Sequence, residues 1–233
     1  MGTSKGYIAP STPAWSQAKR GVSKFLSNPT SLERSNAAAK YAQAMSSGQF
    51  NAGQIAKAFS NVLSFSSSSS SYGYASALNR IGRDDILSLA PEEALNELIS
   101  YFANDGSTID DKISLDCIAE SFEVLEITTP EDLQNVDTGL LLKEMVCQFA
   151  KLKFAQMFDK QIRNKCPIVE EAKARIADMQ EYIYYTMQQQ LTPDVLHELN
   201  PQNLANESVV LNTINKGFEL MTTFYGESYE DMD

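Results

Sequence analysis

The chain has 233 residues, of which 43% are apolar, and a formal net charge of -11. That length suits one large domain, or one with long tails, and the apolar share suits an ordinary globular core. No stretch approaches the ~18 consecutive apolar residues of a transmembrane helix, so no membrane span is expected. Cys117, Cys147 and Cys166 are odd in number and form no C-x-x-C pair. This argues against a disulfide framework or a zinc site and for buried thiols in a reducing compartment, the cytoplasm. The first residues lack the apolar core of a signal peptide, and Gly6 stands where a myristoylation motif needs Ser or Thr. The charge is uneven. Residues 1–80 carry eight Lys or Arg against Glu33 alone, whereas the remainder carries 11 basic and 29 acidic residues. Such asymmetry suggests an interaction tail, or a basic segment folded back on an acidic body. The acidic body should repel DNA, so no direct nucleic-acid binding is expected of it.

In chain order, residues 1–29 are rich in Gly, Ser, Pro and Thr and read as a flexible N-terminal arm whose one large anchor is Trp15. An isolated Trp of this kind either docks in a partner's groove or packs on its own domain. Thr30-Ser31-Leu32-Glu33 fits a capping box, so a helix starts after Thr30 and runs to Met45. A second fits 52–64, with Ile55, Phe59 and Leu63 at spacing four. Residues 30–65 form a basic helical segment, and the serine run Ser66–Ser71 within 66–73 reads as a flexible spacer. An acidic helical domain then spans 74–226, with an acidic tail at 227–233. Its first short helix ends at Gly82. Pro91 opens another, striped by Leu95, Leu98, Ile99 and Phe102. Asn104-Asp105-Gly106 is a turn, and Thr108 with Asp111 caps the helix of Ile113, Cys117 and Phe122. The longest helix covers 138–164, and the next runs to about 190 with Ile168, Ile176, Met179, Ile183 and Met187 as its stripe. A short helix follows Thr192-Pro193-Asp194. A last one spans 203–225, with Gly226 suited to its C-cap. No segment alternates like a strand. The expected fold is therefore all-α: a multi-helix bundle with a flexible N-terminal arm and a Ser-rich linker.

Chemistry is sparse. The single histidine, His197, excludes a histidine-built metal site and leaves no nucleophile elbow or phosphate loop beside it. The acid pairs Asp84-Asp85, Glu92-Glu93, Asp110-Asp111 and Glu170-Glu171 all fall near expected helix starts, where carboxylates favour the dipole. No catalytic residue, metal site or cofactor is expected. The N-terminus says more. Removal of Met1 exposes the unhindered amine of Gly2, and an α-amine with a pKa near ~7.7–8 is partly neutral and nucleophilic at cellular pH.

Two blocks resemble QatB proteins, a component of the bacterial Qat anti-phage defence system. One is Met1-Gly2-Thr3-Ser4 with Gly6 and the Pro-containing arm to Trp15. The other runs from Pro91-Glu92-Glu93-Ala94 through Gly106-Ser107-Thr108-Ile109-Asp110 to Ala119-Glu120. The resemblance implies partners: an ATPase (QatA), a QueC-like enzyme (QatC) and a TatD-like nuclease (QatD). QueC enzymes activate a 7-deazaguanine carboxylate with ATP and pass it to ammonia. With a protein amine in place of ammonia, the product is an amide-linked deazapurine. The resemblance thus implies a non-enzymatic component whose Gly2 is the modification acceptor, with Thr3, Ser4, Gly6 and Trp15 as the arm recognised by QatC. Three other classes compete: a helical scaffold or adaptor for the defence ATPase, a helical toxin or immunity protein, and an enzyme with a carboxylate-only site.

Overall fold

A stripe of large and small apolar residues at Trp15, Ala18, Val22 and Phe25 follows the i, i+3, i+7, i+10 spacing of one helix face, and these residues are buried. They belong to α1 (Pro13–Ser27), which opens with Pro13 at its first position after an extended Thr12. The computed structural model describes residues 10–47, 52–199 and 204–230 of the chain. Among the described residues every regular element is helical: α1, α2 (Ser31–Ser46), α3 (Gly53–Tyr72), α4 (Tyr74–Ile81), α5 (Pro91–Phe102), α6 (Ile109–Val124), α7 (Thr138–Lys165), α8 (Val169–Gln190), α9 (Pro193–Leu199) and α10 (Glu207–Glu230). Short 3-10 turns lie at Asp84–Ser88, Asn104–Gly106 and Pro130–Gln134. The all-α expectation holds.

The helices divide between two compact units interleaved in sequence. Unit 1 takes Met1–Phe50, Ala150–Gln190 and Asn215–Asp233, and unit 2 takes Asn51–Phe149 and Leu191–Ile214. Unit 1 is built on aromatic rings. Tyr41 of α2 meets Phe154, Phe158 and Phe218 edge-on at 5.4, 6.2 and 5.8 Å between centroids. Its hydroxyl donates to the Ala150 carbonyl at 2.9 Å, satisfying a polar group that would be costly to bury alone. Helices α1 and α2 approach closely through small residues: a Cβ on Gly21 would come within 3.2 Å of the Ala37 Cα. At α2's side, Arg34 pairs with Asp178 of α8 and lies over the Tyr182 ring, 4.5 Å from its centroid. In unit 2, α3 supplies buried Ile55, Phe59, Val62, Leu63 and Phe65. Phe65 packs on Phe102 of α5 at 5.5 Å and on Tyr74 of α4 at 6.3 Å. Residues Ile113, Cys117, Ile118 and Phe122 bury the inner face of α6.

Three expectations need correction. First, the arm is shorter than 1–29, because composition hid the α1 stripe: four well-spaced apolar residues are enough to bury a helix whose other positions are small and polar. Second, Ser66–Ser71 is no linker but the last turns of α3. Serine is a tolerable helix former, and extending a helix already nucleated by Ile55–Phe65 costs little per residue. The run also alternates in role: Ser66 and Ser69 are buried, while Ser67 and Ser70 face solvent. Ser66 Oγ donates to the Leu133 carbonyl at 2.7 Å. The helix stops at Gly73, whose φ of 84° and ψ of 154° lie in a region nearly closed to side-chain-bearing residues. The division into a basic 30–65 segment and an acidic 74–226 domain falls with the linker. Third, Gly226 does not end the last helix, since α10 continues to Glu230. Ile168, expected on the α8 stripe, precedes that helix and is 63% exposed.

Candidate functional site

The residues singled out from the sequence lie at the front of unit 1. Gly2, Thr3, Ser4 and Gly6 fall outside the described residues. Trp15 does not belong with them as an exposed docking contact. It is fully buried, with its ring 6.5 Å from Tyr41 and 6.2 Å from Phe158. The reason is local: Pro13 starts α1, and Trp15 is the first residue of its inward stripe. Two polar contacts tie this helix down. The Lys19 ammonium donates to the Pro10 carbonyl at 3.0 Å, and the Gln161 side chain of α7 donates to the Lys19 carbonyl and to Ser23 Oγ at 2.8 and 3.0 Å. Pro10, the first described residue, is thus held to α1. Gly2 precedes it by eight residues, a reach of at most about 26–29 Å at 3.3–3.6 Å per residue.

The groups that might support chemistry in place are arranged for structure. All three cysteines are buried and none is in a disulfide, and burial, aided by Glu144, pushes the Cys147 thiol far above its ordinary value. Among the described residues no three His, Cys, Asp or Glu side chains gather as a metal site. Every acid pair stands in the first turn of a helix or 3-10 turn. The pair at the start of α6 goes further: Thr108 Oγ1 accepts from the Asp111 amide at 3.1 Å while Asp111 Oδ2 accepts from the Thr108 amide at 2.9 Å. Ser107 and Asn104 add bonds to the same oxygen. Hydrogen bonding by Thr108 first, outweighing burial, then by Ser107 and Asn104, holds the Asp111 carboxyl below the usual carboxylate range. His197 lines a cavity of about 350 Å³ with Asp137, Lys143 and Leu196. Asp137 already caps the start of α7 there, accepting from the Leu140 amide at 2.7 Å.

The family model of QatB, the Qat anti-phage system associated protein, matches residues 37–221. The chain belongs to the QatB family. No curated protein and no solved structure matches it. Membership makes the chain a component of the Qat anti-phage defence system. The match takes in all of unit 2, all of α7 and α8, and most of α2 and α10. It leaves α1 and the leader before it outside. No described helix is long and apolar enough to cross a membrane.

Two features escaped sequence reasoning. One is the redistribution of charge. Unit 2 holds 19 acids and five bases, whereas unit 1 holds 11 acids and 14 bases, because the bases of 151–175 fold with the front of the chain. The other is a cavity of about 430 Å³ in unit 2, lined by Gln54, Lys57 and Asn61 of α3, the end of α5 and Asp111. The i, i+3, i+7 spacing of its three α3 residues was visible, but nothing in the sequence says that α5 ends against them.

Proposed function

We propose that this QatB-family chain is the protein acceptor of a 7-deazapurine modification, installed on the amine of Gly2 by a QueC-like partner. Family membership carries the reading, and the chemistry of position 2 supports it. A glycine leaves the attacking nitrogen uncrowded, and the low pKa of an α-amine gives a neutral fraction that the lysines lack at neutral pH. In the reaction the Gly2 nitrogen bonds to the activated carboxyl carbon. The activating group derived from ATP leaves, and the nitrogen gives up a proton. Recognition by the partner falls to Thr3, Ser4 and Gly6. Trp15, buried in unit 1, serves instead to anchor α1. The acceptor needs no catalytic group of its own.

Co-expression with the QueC-like partner tests the reading. Intact-mass measurement should show one added deazapurine amide on the wild-type chain and none on Gly2→Val, with both chains equally folded by circular dichroism. A wild-type chain left unmodified by a partner that converts its small-molecule substrate contradicts it.

A second reading has its own observation. Unit 2 carries a formal -14, so it suits a basic face on another component such as the defence ATPase, with the chain acting as adaptor. Salt-sensitive association that survives deletion of residues 2–9 supports this role, which is compatible with modification. Association that is indifferent to salt argues against it.

A further inference from the structure

The 430 Å³ cavity of unit 2 has two electrically opposite walls. On one side is the start of α3, a helix of 20 residues with no acid in its first turn. Gln54, Lys57 and Asn61 project from it into the cavity, and none of their side chains has a partner among the described residues. The Lys57 ammonium attracts an anion, and the two amides supply further donors. On the other side α5 ends. Its last residues Tyr101 and Phe102 and its C-cap Ala103 line the space, and no base stands in its last turn to meet the carbonyl end. Asp111 lies on this side. The residue is 7% exposed, and among the described residues Oδ2 takes all of its capping hydrogen bonds while Oδ1 takes none. An Asp carboxylate is ionised at neutral pH, and those bonds hold this one below the usual carboxylate range.

The turn that carries this wall is strained. Asn104 and Asp105 both have left-handed backbones, with φ of 51° and 55°, ahead of Gly106 at 63°. A smaller cavity of about 140 Å³, sharing Asn61, Tyr101 and Phe102, extends the space along α3 past Ser64 and Ser68.

We propose that this cavity binds a small zwitterion, an amino acid or a dipeptide. Its carboxylate lies against Lys57, Gln54 and Asn61 at the start of α3. Its ammonium lies against Asp111 Oδ1 and the carbonyl end of α5. Tyr101 and Phe102 form an apolar floor for the remainder, and the smaller cavity admits a second residue. The size falls within the roughly 300–1,000 Å³ of small-molecule sites. The assignment is independent of the Gly2 reading, since it concerns unit 2 alone.

The test uses the full-length chain in thermal-shift and calorimetric titrations. The probes are the twenty L-amino acids, glycylglycine and alanylalanine, each at about 10 mM and fixed ionic strength, a level that detects millimolar affinity. N-acetylglycine and glycinamide, each lacking one of the two charges, are the controls. At least one zwitterion should stabilise the chain saturably, with the capped analogues at least about tenfold weaker, since a charged hydrogen bond is worth about 1.5–3 kcal/mol. Whether amino acids or dipeptides bind better identifies the source. Lys57→Met should weaken binding about tenfold without moving the ligand-free melting temperature, because Lys57 has no partner to lose. Absence of binding by every zwitterion overturns the proposal. So does equal binding by the capped analogues, or a Lys57→Met chain that binds as tightly as wild type.

Discussion

Replacing Trp15 tests whether the front of the chain is packed structure or leader. The indole has no solvent exposure and contacts the Tyr41 and Phe158 rings. Truncating a large buried aromatic to alanine costs about 3–5 kcal/mol in lost transfer energy and cavity. One feature offsets part of this. The Trp15 Nε1 hydrogen has no acceptor among the described residues, and an unsatisfied buried donor costs the native state about 1–3 kcal/mol. Trp15→Ala should therefore destabilise by about 1–3 kcal/mol, a sizeable share of the roughly 5–15 kcal/mol that holds a typical domain. Trp15→Phe keeps an aromatic ring in the cluster and removes the orphan donor, so its cost should stay within about 1 kcal/mol of zero. Urea denaturation followed by far-ultraviolet circular dichroism measures both, with the midpoint moving and the slope unchanged. If Trp15 were a contact on an unpacked arm, Trp15→Ala would be silent. A cost under about 1 kcal/mol, or Trp15→Phe as damaging as Trp15→Ala, refutes the reasoning.

Ser66→Ala strands the Leu133 carbonyl and should cost about 1–3 kcal/mol, while Ser67→Ala and Ser70→Ala, on the exposed face of α3, should be neutral or stabilise by up to about 0.5 kcal/mol. Equal silence at all three positions would return the run to a linker. Thr108→Ala removes one arm of the α6 capping box and should cost about 0.5–2 kcal/mol at pH 7. Asp111 has a depressed folded pKa, so its contribution is fully present above the ordinary value of 3.8 and is lost as pH falls through the folded value. Melting temperatures of wild type and Asp111→Asn should therefore converge in acid, and a gap that is constant down to pH 2 contradicts the linkage.

Much of the fold was legible because its helices are amphipathic and well punctuated. Thr108 and Asp111 form the box that their spacing announces, Pro91 opens α5, and Gly82 closes α4 with a φ of 69°. The α8 stripe of Ile176, Met179, Ile183 and Met187 is buried as read. Two of the departures share a cause, a composition that conceals helical periodicity. Between 13 and 27 the frequent Ser, Lys and Gly masked a helical stripe, and at 66–71 a serine run masked continuation of a helix already formed. Thr30 shows the limit of motif reading. Its hydroxyl accepts from the Glu33 amide at 3.2 Å, but the Glu33 carboxylate turns to Asn36 instead of closing the box. The interleaved units, the gathering of acids in unit 2 and the cavity beside Asp111 depend on long-range packing, which no local pattern records.

Fragmentation mass spectrometry of the N-terminal peptide, from a chain purified after co-expression with its QueC-like partner, tests the central claim most directly. The account predicts that the added mass resides on the Gly2 nitrogen and is absent from every lysine. Modification on a lysine side chain, or a bare Gly2 beside a working partner, contradicts it.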